Sequence, residues 1–85
     1  MDPYKIVKHP LSTEKSIRLM ESQNKLVFVV DLDADKEMIK KAVEEMFKVE
    51  VDSVNTFVRK GEKRAYIKFS EKNLAIDIAT QLGLM

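Results

Sequence analysis

The chain has 85 residues, 45% hydrophobic and 34% charged, with a formal net charge of +1. That length makes one domain, 1–85, and that balance belongs to a folding chain, not a disordered one. Zero cysteines exclude disulfides, thiolate zinc and cysteine nucleophiles. No apolar run reaches the roughly 18 residues of a membrane span, and no signal-peptide core opens the N-terminus.

Taken in order, Tyr4-Lys5-Ile6-Val7-Lys8 is predicted as a short edge strand, blunted by lysines and by the flanking Pro3 and Pro10. Pro10 stops it and biases His9 towards an extended backbone. Ser12 or Thr13 then caps a helix to about Gln23, whose apolar stripe is narrow: Ile17 and Met20, with Leu11 ahead of them. Asn24 suits the left-handed residue that ends such a helix.

Leu26-Val27-Phe28-Val29-Val30 is apolar on both alternating faces, so this strand must be covered on both sides and belongs in the middle of a sheet. A helix from about Lys36 to Lys48 follows, capped by Asp35 or by its rival Asp33. Ile39, Ala42, Val43, Met46 and Phe47 form its apolar stripe, and Glu37–Lys41 and Glu44–Lys48 are spaced for ion pairs on the other side. A second strand runs from Val49 to Phe57.

Val54-Thr56-Val58 and Ala65-Ile67-Phe69 alternate on either side of Arg59-Lys60-Gly61-Glu62, which predicts a hairpin with Gly61 at positive φ. Pairing Arg59 with Glu62 sets Phe57 opposite Arg64, Asn55 opposite Tyr66 and Ser53 opposite Lys68. Ser70 is expected to cap a last helix, Glu71 to Leu82, stopped by Gly83 with Leu84 making a hydrophobic end contact. The order β-α-β-α-β-β-α predicts an α+β fold: a four-stranded sheet with helices packed on it, the last strand inserted between the second and third, so that the crossover unit is split.

Charge is unevenly distributed. Residues 59–69 carry Arg59, Lys60, Lys63, Arg64 and Lys68 against Glu62, and residues 3–18 carry Lys5, Lys8, Lys15 and Arg18 against Glu14, with His9 beside them. Residues 32–58 hold four Lys or Arg and seven Asp or Glu. Two basic segments and an acidic helix suit a domain that lies on a polyanion with another face turned away. One face of the hairpin gathers Arg64, Tyr66 and Lys68 beside Asn55 and Phe57, cations for phosphates and rings for bases. Thr13 and Lys15, at a helix start, add a hydroxyl, backbone N–H groups and charge for phosphate oxygens. On the central helix Glu37, Glu44 and Glu45 are candidates for a protein contact.

Catalytic patterns are missing. His9 is the sole histidine, too few parts for a triad or a histidine metal site. Asp31, Asp33 and Asp35 resemble a calcium loop, but the glycine and the closing glutamate are not where such a loop needs them. Two glycines make no phosphate-cradling loop. No enzyme, cofactor, metal or small-molecule substrate is expected.

His9-Pro10-Leu11-Ser12-Thr13-Glu14-Lys15, Asn24-Lys25-Leu26-Val27-Phe28-Val29-Val30-Asp31, Lys40-Lys41-Ala42-Val43-Glu44-Glu45-Met46-Phe47-Lys48-Val49, Val54-Asn55-Thr56 and Lys63-Arg64-Ala65-Tyr66-Ile67-Lys68 resemble the large-subunit ribosomal proteins of family twenty-three, in their short archaeal form. The likeness covers nearly the whole chain. It implies an α/β/α arrangement around an antiparallel-type sheet, binding to large-subunit rRNA, and a cytoplasmic place on the ribosome at the rim of the nascent-peptide exit tunnel. It also implies ribosomal protein twenty-nine as a neighbour and a docking surface for the signal recognition particle. The turn Arg59-Lys60-Gly61-Glu62 is shorter than that family's archaeal turn and far shorter than the bacterial loop that enters the tunnel, so this hairpin is not expected to line it. The net charge of +1 is low for a ribosomal protein and points to a sizeable side facing solvent or protein. The competing expectation is a free-standing, ferredoxin-like protein-interaction module.

Overall fold

In the computed structural model, which describes residues 2–83, four strands form one sheet in the order β1-β2-β4-β3, every neighbouring pair antiparallel. These are β1 (Val7–Pro10), β2 (Lys25–Val30), β3 (Val51–Arg59) and β4 (Glu62–Phe69), and the helices are α1 (Pro3–Ile6), α2 (Glu14–Gln23), α3 (Lys36–Phe47) and α4 (Ala75–Gln81). Because β2 and β3 both run antiparallel to the β4 that separates them, β2-α3-β3 is the split crossover predicted from the sequence.

The N-terminus departs from the predicted strand. Asp2 accepts a hydrogen bond from the Tyr4 N–H at 3.1 Å, and Pro3, with φ already near the helical value, begins a single helical turn. Ile6 at its end is buried and the turn packs on α3. The strand begins only at Val7, and a bulge between Val7 and His9 takes Lys8 out of register. It lies at the sheet edge, as expected.

Helix α2 starts with a reciprocal cap: the Ser16 N–H donates to Thr13 Oγ1 at 3.2 Å and the Thr13 N–H donates to Ser16 Oγ at 2.7 Å. Asn24 ends it at φ 56°. β2 follows at the sheet centre, buried on both faces. Leu26, Phe28 and Val30 point into the main core, and Val27 and Val29 lie on the side where Lys15 of α2 reaches Tyr66.

Asp35 caps α3 by accepting from the Met38 N–H at 2.8 Å, while Asp31 accepts from the Asp33 N–H in a local turn. Ile39, Ala42 and Val43 are fully buried against Leu26, Phe28 and Val30, and the Phe47 ring lies 6.1 Å from that of Phe28. Lys48, not a glycine, takes the left-handed position that ends the helix, at φ 56°. The expected Glu37–Lys41 and Glu44–Lys48 pairs are not closed; the ion pair among the described residues is Arg64–Glu62. Glu44 instead accepts the Val51 N–H at 3.1 Å, fastening the end of α3 to the start of β3.

The hairpin register is the predicted one throughout, Arg59 opposite Glu62, Phe57 opposite Arg64, Asn55 opposite Tyr66 and Ser53 opposite Lys68. Its turn has positive φ at both central residues, Lys60 (53°) and Gly61 (76°), the geometry whose twist matches the flanking strands. β3 begins and ends two residues later than expected.

The last helix is shorter than predicted. Residues 70–74 form a turn in which the Asn73 N–H donates to the Ser70 carbonyl, and α4 starts at Ala75. Ser70 is therefore not its cap. Ala75, Ile78 and Ala79 pack into the core, and Gly83 stops the helix at φ 76°. Leu84 lies outside the described residues. Helices α3 and α4 thus cover one face of the sheet, and α2 lies against β2 on the other.

Candidate nucleic-acid interface

Strand pairing sorts the hairpin into two faces. On one, Val54, Ala65, Ile67 and Phe69 are buried in the core. The other presents three cross-strand rows: His9, Val29, Arg64 and Phe57; then Val27, Tyr66 and Asn55; then Lys25, Lys68 and Ser53. Helix α2 covers the β2 part of this face and leaves the β3–β4 part open.

On that open part, Phe57 and Tyr66 pack edge to face, with ring centroids 5.2 Å apart and planes at 74°. Lys15 Nζ sits 5.8 Å from the Tyr66 ring centroid, within cation–π range. Arg64 Nε donates to Glu62 Oε2 at 2.8 Å, with both side chains about two-fifths exposed. Lys15, Phe57, Val58, Arg59, Arg64 and Tyr66 line one open groove, and Arg59 and Arg64 continue with Lys60 into a second at the hairpin tip. The N-terminal and hairpin basic segments, some fifty residues apart in sequence, thus meet at Lys15 and Tyr66.

The remaining sequence-derived candidates are dispersed. Lys8 and His9 border a third depression with Gly61 and Lys63 behind the turn. Arg18 is exposed on α2, one turn beyond Lys15. Lys68 is exposed beside Ser53 and Lys25, away from the aromatic pair. Lys5 lies on α1 against α3, apart from the groove. Thr56 is half-buried on the core side of β3, the face opposite Asn55. Thr13 Oγ1 accepts the Ser16 N–H of the reciprocal cap, which leaves its own proton free to be donated.

Two candidate side chains have internal partners that no sequence pattern announces. Lys63 Nζ donates to the carbonyl oxygens of Ala34 and Leu32, pinning the hairpin to the β2–α3 loop. Glu44 is held by Val51, whereas Glu37 and Glu45 are exposed on α3, on the far side of the sheet from Tyr66. Phe57 is the residue that charge counting underrates: it is 59% exposed at the centre of the basic face. Its place opposite Arg64 in the alternating pattern was the available signal.

Among the described residues, no three His, Cys, Asp or Glu side chains gather to hold a metal ion, and no helix is long and apolar enough to cross a membrane.

The chain is thus a small α+β domain with a split-crossover sheet in the order β1-β2-β4-β3 and a cationic, aromatic strand face left open. The family model described as Ribosomal protein L23 matches residues 5–79, and the chain belongs to that family. It is accordingly a structural protein of the large ribosomal subunit.

Proposed function

We propose that the chain binds large-subunit rRNA through the β3–β4 face and the start of α2, at the rim of the nascent-peptide exit tunnel in the cytoplasm. The observation that carries this reading is the convergence of Lys15, Arg59 and Arg64 on the exposed Phe57–Tyr66 pair, since cations bind phosphates and aromatic rings stack on bases. Lys8, Arg18, Lys60 and Lys68 add exposed positive charge beyond the groove, and Lys5 and His9 are more distant contacts in the same reading. The tunnel-rim position, ribosomal protein twenty-nine as neighbour and the docking of the signal recognition particle are supported by the family likeness. Glu37 and Glu45, across the sheet from the basic face, supply a surface for such protein contacts. The two-residue turn supports a hairpin that stays outside the tunnel.

The test is the salt dependence of binding to a large-subunit rRNA fragment. Changing Arg59, Lys60 and Arg64 together to Ala should weaken binding. It should also flatten the slope of log affinity against log salt by roughly 0.7–0.9 for each phosphate no longer neutralised. A slope equal to that of the unaltered protein would place the RNA surface elsewhere.

A further inference from the structure

The groove between Lys15 and the hairpin joins two chemistries that one kind of ligand satisfies together. Phe57 is 59% exposed in the middle of a strand face, its neighbour Tyr66 touching it edge to face without covering it. Lys15, Arg59 and Arg64 surround the pair. A paired A-form helix would engage these cations through its phosphates and ribose hydroxyls, but its bases are stacked inside and offer the rings nothing. A protein partner could cover the rings, since aromatic and arginine side chains also centre protein contacts, but three cations with Glu62 as the neighbouring carboxylate suit a polyanion better. An unpaired nucleotide supplies both an open π face and flanking phosphates.

We propose that Phe57 and Tyr66 form a stacking platform for one unpaired base of the bound RNA, with Lys15, Arg59 and Arg64 holding the phosphates on either side of it. This rests on the rRNA-binding reading and names the element that the face selects: a bulge, loop or extruded nucleotide. The Tyr66 ring, held between Lys15 and Phe57, sets the angle of the platform. Phe57 provides the surface that the base covers. Arg64, tied through Nε to Glu62, is oriented before the RNA arrives.

The chain contains no tryptophan, so Phe57→Trp places a single fluorescent reporter at an exposed position. Titrated with the large-subunit rRNA fragment, its emission should be quenched by base stacking. Phe57→Leu, which keeps an apolar side chain but no π face, should bind the fragment about tenfold more weakly with an unchanged salt slope. Phe57→Tyr should retain native affinity. Chemical probing should show one unpaired base protected by the native protein and released by Phe57→Leu. An unquenched reporter, or native affinity in Phe57→Leu while the fragment still binds, overturns the stacking platform and leaves rRNA binding standing. If the native protein does not bind the fragment at all, the rRNA reading falls first and takes this inference with it.

Discussion

Asn24 Oδ1 accepts the Ala75 N–H at 2.6 Å, so a residue that ends one helix caps another that begins fifty-one positions later. The same side chain donates from Nδ2 to the carbonyl oxygens of Asn73 (2.9 Å), Phe69 and Ser70 (both 3.3 Å). The Phe69 N–H returns a bond to the Asn24 carbonyl at 3.1 Å. Leu74, at the cap position of α4, has no side-chain oxygen to give, and Asn24 supplies one from across the fold.

Asn24→Ala should therefore cost about 3 kcal/mol, from the missing cap, the missing hydrogen bonds and a β-carbon forced into the left-handed region. Asn24→Gly relieves the backbone and should cost about 1 kcal/mol less. Urea unfolding of both variants checks the difference. Equal losses would show that the backbone conformation at residue 24 contributes nothing.

Thr13→Ala removes the hydroxyl that accepts the Ser16 N–H and should lower stability by about 1 kcal/mol, a fall of roughly 4–8 °C in Tm for a domain of this size. Measured well below that Tm, rRNA affinity sorts its two roles. A loss of affinity at full folding assigns the hydroxyl proton to a phosphate oxygen, and native affinity assigns Thr13 to the cap.

Lys63 should separate from the other hairpin cations. Its ammonium is committed to the Ala34 and Leu32 carbonyls, so Lys63→Met should cost about 1 kcal/mol of stability while changing the salt slope of rRNA binding less than Arg59→Ala does. Chemical denaturation and filter binding of the two variants, side by side, make the comparison. A larger slope change in Lys63→Met would mean that the internal bonds open on binding RNA.

Charge reversal on α3 tests the orientation of the domain. Glu37→Lys with Glu45→Lys should leave rRNA binding intact or slightly tighter, because both carboxylates are exposed on the far side of the sheet from the groove. Docking of a protein factor on the assembled subunit should weaken if that helix receives it. A clear drop in rRNA affinity with an unchanged circular dichroism spectrum would turn the domain over. Glu44→Lys is a poor choice for this test, since it strips the Val51 N–H of its acceptor and should destabilise the fold.

What could be read along the chain was what repeats with a short period. Alternation at period two placed Phe57 opposite Arg64 and Asn55 opposite Tyr66, because one slipped residue would have turned Ile67 and Val54 out of the core. The both-sided apolar run of β2 announced a central strand, and the stripe of α3 announced its buried side. Family membership was legible as well: the resemblance read from motifs between His9 and Lys68 agrees with the family match over residues 5–79.

Features that depend on partners far away in sequence were settled only by the folded chain. Residues 71–74 carry an acceptable helix pattern, yet the turn after β4 is bound by Asn24 and Asn73, and α4 starts where Asn24 can cap it. Lys63 and Glu44 resemble free surface charges until the β2–α3 loop and the start of β3 arrive beside them. Lys15 gives no local sign of Tyr66. Periodicity reports which side of an element is buried, because burial acts on every residue of that side at once. Single hydrogen bonds and ring contacts between distant segments leave no period behind, so it took the tertiary structure to join the two basic segments into one groove.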